Sequence, residues 1–145
     1  MQHNYNPSDL AYHRLQQARE CLQSAELEIT AKIYRSAANR SYYSIFHAMR
    51  ALLALDEFDS KKHSGIIAAF RQRYIRTKIF PANYSDIVGD AFDVRIDSDY
   101  EDYYLISKKD VETQLENAKT FLAAVEEYLA PKIKDTQEAE LPCKS

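Results

Sequence analysis

Arg40, Tyr43, His47 and Arg50 recur at separations of three, four and three residues in the stretch "RSYYSIFHAMR". That spacing lines side chains up in one stripe along a helix. A histidine beside arginines suits phosphodiester chemistry: imidazole exchanges protons near neutral pH, and a guanidinium grips phosphate oxygens with two N–H groups at once, so no metal is required. The same pattern also fits polar side chains held by structural hydrogen bonds. His63, beside Lys61 and Lys62 at the expected start of another helix, is placed to meet an anion. Its alternative role is to cap or pack locally.

The elements that must carry these residues are helical. The chain has 145 residues, 46% of them hydrophobic and 28% charged, with only two glycines and four prolines. A domain of this size buries roughly 68–70% of its unfolded surface, so one core suffices, and the shortage of turn residues favours helices with short connections. "NPSD" predicts a helix start, with Asn6 as N-cap and Pro7 in the first position. Ala11, Leu15, Ala18, Leu22, Ala25 and Ile29 then form a helical seam. A second helix is expected from about Lys32 to Leu55, apolar over a wide arc and therefore buried on two sides. Ser60 is the expected cap of a third helix, which runs on until Pro81 ends it. Ile87, Ala91, Val94 and Ser98 predict a fourth helix despite Gly89. "YEDYYLIS" reads as a loop or frayed turn. A cap region at Ser107–Asp110 opens a last helix, with Val111, Leu115, Ala118, Leu122, Val125 and Leu129 on its face and Pro131 stopping it. The expectation is an all-α, up-and-down antiparallel helical bundle of about five helices, with one domain over 1–130 and a polar, disordered tail over 131–145.

Net charge is −3, which gives no overall reason to expect a nucleic-acid binder. The distribution is uneven. Residues 60–78 hold Lys61, Lys62, Arg71, Arg73, Arg76 and Lys78 without an acid, and residues 86–103 hold seven acids against Arg95 alone. Solvated faces or mutual pairing would account for both segments. Cys21 and Cys143 build neither a disulfide framework nor a metal site. No apolar run approaches a membrane span, and "MQHNYNPSDL" lacks the order of a signal peptide, so a cytoplasmic location is expected and no membrane partner.

"SAANRSYYSIFHAMRALLAL", followed by "KKHSGIIAAFRQRYI" and "RIDSDY", resembles the HEPN superfamily (higher eukaryote and prokaryote nucleotide-binding domain) over roughly residues 10–130. The resemblance is strongest at the tyrosine pair with Phe46-His47-Ala48, at His63-Ser64-Gly65, and at Arg95 with Asp99-Tyr100. It implies a helical bundle that pairs as a homodimer, is often encoded beside a minimal nucleotidyltransferase, and includes toxins among its members. Ribonuclease members use an arginine and a histidine separated by four to six residues for metal-independent RNA cleavage. Arg40 and His47 meet that spacing at its upper limit. The nuclease motif usually precedes the closing helix, however, and there Arg95 is followed by Tyr100 in place of histidine. A tyrosine, with an ordinary pKa near 10, exchanges protons poorly at neutral pH. Arg95 could still hold a phosphate, with Asp99 orienting it or forming a structural ion pair. In toxins paired with a nucleotidyltransferase a tyrosine beyond this motif can receive AMP, which marks Tyr100, Tyr103 and Tyr104, unless they are interface anchors.

Three readings follow. The first is a HEPN-type module that binds a nucleotide or RNA phosphate in a cleft of Arg40, His47, His63 and Arg95, with Asp99 and Tyr100 assisting, in a toxin–antitoxin or nucleotidyltransferase-associated system. The second is a metal-independent endoribonuclease toxin that uses Arg40 and His47 as the catalytic pair, or a rearranged set around Arg95. The third is a non-catalytic dimeric interaction module. None calls for a cofactor or a metal.

Overall fold

The computed structural model describes the backbone of residues 6–100 and 105–140 and the side chains of 6–99 and 105–133. Five α-helices form an up-and-down bundle: α1 (Pro7–Thr30), α2 (Tyr34–Leu55), α3 (His63–Phe70), α4 (Asn83–Tyr100) and α5 (Lys108–Glu140), with a π-helical turn, Arg71–Ile75, continuing α3. There is no strand among the described residues.

Helix α2 is the centre of the bundle and packs against all four others. Ala37, Ala38, Tyr42, Ile45, Phe46, Ala48, Met49, Leu52 and Leu53 are all buried on it, which is the wide apolar arc read from the sequence. From Ser36 to Arg50 the residues of α2 that are not buried are Ser36, Asn39, Arg40, Tyr43, His47 and Arg50. Over this span the polar stripe, widened at its start by Ser36 and Asn39, is the part of the helix that reaches the surface.

Local chemistry sets the helix ends. Asn6 Oδ1 accepts a hydrogen bond from the Ser8 amide at 2.8 Å, with Pro7 in the first helical position, as expected of an N-cap. Helix α1 closes with a left-handed residue, Lys32 (φ 64°); the Lys32 amide donates to Ile29 O and the Ile33 amide to Glu28 O. Helix α2 ends the same way at Glu57 (φ 55°), whose amide donates to Ala54 O while that of Phe58 donates to Leu53 O. Glycine normally takes such positions. This chain fills them with lysine and glutamate, which is how two glycines suffice, and why α2 begins at Tyr34 and not at Lys32.

Two further differences from expectation have physical causes. Lys62, not Ser60, is the N-cap of α3; Ser60 Oγ accepts from the Lys62 amide at 3.2 Å instead. A Cβ at Gly65 would come within 2.9 Å of Ser60 Cβ, so this glycine lets the α2–α3 connection lie against the first turn of α3. Gly89 is likewise a place of close approach: the Arg71 guanidinium passes 3.2 Å from where its Cβ would be and bonds Ser85 Oγ at 2.8 Å. Finally, Pro131 does not stop α5, which runs on to Glu140. Proline removes one amide donor, but Pro131 is exposed, and Leu129 and Ile133 bury on the core on either side of it. The apolar seam continues past the proline, one turn into the stretch expected to be a disordered tail; residues 141–145 lie outside the described part of the chain.

The last helix opens as expected, the Asp110 amide donating to Ser107 Oγ at 3.0 Å. All six of its seam residues from Val111 to Leu129 are buried. Among the described residues no ion pair joins the basic 60–78 segment to the acidic one after it; Arg73 pairs with Asp56 at 3.7 Å and Arg95 with Asp99 at 3.3 Å. No described helix is long and apolar enough to cross a membrane.

Candidate functional site

The stripe on α2 meets α3 and α4 across a patch of aromatic rings. Tyr42 is fully buried and Phe46 nearly so, both on the arc that α2 turns inward, while Tyr43 lies half-buried at its edge. His63, in the first turn of α3, stacks on Phe46 at 4.2 Å between ring centres, and its Nδ1 lies 2.7 Å from Tyr42 Oη. Arg95 crosses from α4, with its guanidinium carbon 5.4 Å from the Tyr42 ring centre and 5.6 Å from that of Tyr43. Cation–π contacts of this kind hold an arginine without neutralising it.

His47 adjoins the same rings, 6.0 Å from Tyr43 and 5.9 Å from Phe46. On its other side it lines an opening of about 290 Å³ between α1 and α2, together with Gln17, Glu20, Cys21, Ser24 and Arg40. The structure therefore splits the expected single cleft. His63 and Arg95 share the aromatic patch, Arg40 stands at the α1–α2 opening, and His47 touches both.

Positive charge accumulates around the two imidazoles. Burial, then Arg50, Arg14, His63 and Arg40, push the His47 pKa down to about 4. Burial, then Arg95 and Arg50, lower that of His63. Both rings are neutral at pH 7. Arg14 is itself buried, donates to Arg50 O at 3.0 Å and shares Asp59 with Arg50 at 3.4 and 3.5 Å. Burial lowers its pKa as well, and Arg50 adds to this. His47 Nδ1 and Arg95 Nε are buried without a hydrogen-bond partner among the described groups, the Arg95–Asp99 contact being an ion pair with poor hydrogen-bond geometry. Burial raises the Cys21 thiol pKa despite the opposing Arg40. A neutral thiol is a weak nucleophile, so Cys21 does not supply one here.

Arg14 and Asp59 were not legible as site residues. A signal existed for Arg14, which stands three residues after Ala11 and four before Ala18, on the apolar seam itself. Tyr42, read as core, is core and yet gives its hydroxyl to the site. Asp99 is present as the partner of Arg95. The Tyr100 side chain, Tyr103 and Tyr104 lie outside the described residues. Among the described residues no three His, Cys, Asp or Glu side chains gather as metal ligands.

An all-α bundle whose central helix presents arginines and a histidine beside stacked rings defines the class of protein. The chain belongs to the HEPN family: the family model of the HEPN domain matches residues 11–128. It is 30% identical over 118 residues to the Methanocaldococcus jannaschii protein named "Putative toxin MJ0142", covering 81% of this chain and 80% of that one. A UPF0332 protein of Thermotoga maritima is 31% identical over 112 residues, 77% of this chain and 85% of its own. The crystal structure of TT1696 from Thermus thermophilus superposes with a TM-score of 0.68 at 21% identity, over 81% of this chain and 96% of that one, a likeness of fold.

Proposed function

We propose that the protein is a toxin-type HEPN module that binds the phosphate of a nucleotide or RNA at the patch of His63, Arg95, His47 and Arg50. One observation carries this reading. The arginines that act on the two site histidines, Arg14, Arg40, Arg50 and Arg95, outnumber the carboxylates beside them, Asp59, Asp99 and Glu20, by one. A partly buried cluster with unbalanced positive charge is stabilised by an anion, and aromatic faces beside it suit a base. The relatives named as toxins support the cellular role, and the homodimer and nucleotidyltransferase partner implied by the family resemblance belong to the same reading. Calorimetric titration with AMP and a short RNA should give binding that weakens as salt rises and is lost in Arg95→Ala. No heat at millimolar ligand would overturn it.

A metal-independent ribonuclease is the second reading, favoured by Arg40 and His47 lining one opening. With its pKa near 4, His47 at neutral pH could accept a proton but not donate one, so a separate acid would be needed. RNA left intact by the wild-type protein in excess EDTA would remove this reading; cleavage abolished by His47→Ala would establish it.

A further inference from the structure

The Tyr42–His63 contact assigns a tautomer. Tyr42 is fully buried, and burial pushes its pKa well above the ordinary value, outweighing the opposing Arg95, so the phenol keeps its proton. A buried hydroxyl needs an acceptor. The acceptor in reach is His63 Nδ1 at 2.7 Å; around the Tyr42 ring also stand the aromatic rings of Tyr43, Phe46 and Phe92 and the Arg95 guanidinium, which can only donate. Were Nδ1 the protonated nitrogen, it would donate to the phenol oxygen and strand the phenol hydrogen among those rings. A neutral imidazole that accepts at Nδ1 carries its hydrogen on Nε2.

We propose that Tyr42 is a positioning residue that holds neutral His63 in its Nε2–H form, giving the patch a fixed, uncharged N–H donor for a phosphate oxygen beside the Arg95 guanidinium. The donor role rests on the phosphate-binding reading above; the tautomer does not. Stacking on Phe46 fixes the ring plane at an interplanar angle of 24°, and the hydrogen-bonded Tyr42 ring lies within 16° of the same plane. Protonation is opposed from two elements, by Arg95 on α4 and Arg50 on α2, and it would turn Nδ1 into a second donor facing the phenol O–H. His63 thus serves as a donor of fixed direction, and the site discriminates for oxyanions without a proton being taken up at this ring.

The test is long-range ¹H–¹⁵N correlation of the histidine side chains in the full-length protein at pH 8. The expected spectrum has His63 Nδ1 unprotonated and Nε2 protonated. Tyr42→Phe keeps the ring shape and removes the hydroxyl; it should spread His63 over both tautomers and weaken inorganic phosphate binding several-fold. A wild-type His63 protonated at Nδ1, or an unchanged pattern in Tyr42→Phe, overturns the proposal. If Tyr42→Phe does not fold, the wild-type protein decides through the Tyr42 hydroxyl proton: its correlation with an unprotonated His63 Nδ1 supports the proposal, and a hydroxyl proton exchanging freely with water overturns it. A wild-type Nε2–H pattern that does not respond to millimolar phosphate would instead remove the donor role and the phosphate reading together, leaving the tautomer assignment standing.

Discussion

Two aromatic clusters draw on helix α2 and differ in what completes them. Toward its C-terminal end, Phe70, Tyr74, Phe80, Tyr84, Phe121 and Tyr128 pack ring against ring, and the buried Tyr74 hydroxyl lies 3.2 Å from Leu52 O and 2.9 Å from Asp56. Midway along the helix, Tyr42, Tyr43 and Phe46 meet Arg95 and two histidines, and His47 Nδ1 and Arg95 Nε have no hydrogen-bond partner among the described residues. Ring content is similar in both. The first cluster borders an opening of about 420 Å³ at Tyr74 and Tyr128, yet its buried hydroxyl is paired, whereas the second leaves a buried imidazole nitrogen and a guanidinium nitrogen without a hydrogen-bond partner among the described residues. Aromatic residues alone do not mark a site; unbalanced charge packed against them does.

The sharpest way to break this contrast is to damage the first cluster. Phe70 is fully buried and touches Tyr74, Phe80 and Phe121, so Phe70→Ala should cost about 3–5 kcal/mol of stability through lost burial and a cavity. Urea unfolding would read this as a lower midpoint at unchanged slope. Phosphate binding by the fraction still folded should be unaltered. If that affinity fell in step with stability, the two clusters would not be separable in role.

The second cluster has its own signature, a dependence of stability on pH. The folded His47 pKa of about 4 lies below the ordinary 6.5. Above pH 6.5 neither state binds the proton, and between the two values the unfolded chain binds it while the folded one does not, so stability falls as pH drops through that window. After allowance for solvent screening the loss is about 1–2 kcal/mol, and His63 adds in the same direction. Chemical unfolding at pH 7 and pH 4.5 should show the drop, and His47→Gln should reduce it. An equal drop in His47→Gln would place the effect elsewhere.

The contrast also explains what was legible in the sequence. Helices with a regular apolar seam, α1 and α5, declared their faces because period and burial coincide; the polar stripe of α2 did so as well, as a gap in an otherwise buried arc. Helix ends were less legible. Backbone closure at Lys32 and Glu57 places non-glycine residues in a left-handed conformation, which side-chain type does not announce, and the core contact of Ile133 carries α5 through Pro131 against a strong local stop signal. Arg40, His47, His63 and Arg95 were all identifiable as chemically able, but their grouping depends on the α2–α3 and α2–α4 packing. No spacing in the chain reports that Arg40 falls on the far side of His47 from the other two.

The smallest expected effect on stability divides the two clusters most cleanly. Arg50 pairs with Asp59 at 3.5 Å with much of the carboxylate exposed, so Arg50→Gln should change stability by less than about 1 kcal/mol. The backbone carbonyl that receives the Arg14 hydrogen bond remains. Arg50 is, after burial, the largest cause of the lowered His47 pKa, and it also acts on His63. Removing its charge relieves repulsion of both imidazolium forms, so both histidines should titrate higher in NMR than in the wild type. Phosphate affinity should fall in the same variant, because a cation has left the patch. Higher histidine pKa values with unchanged affinity would mean that the charge around these rings shapes their titration but does not hold an anion.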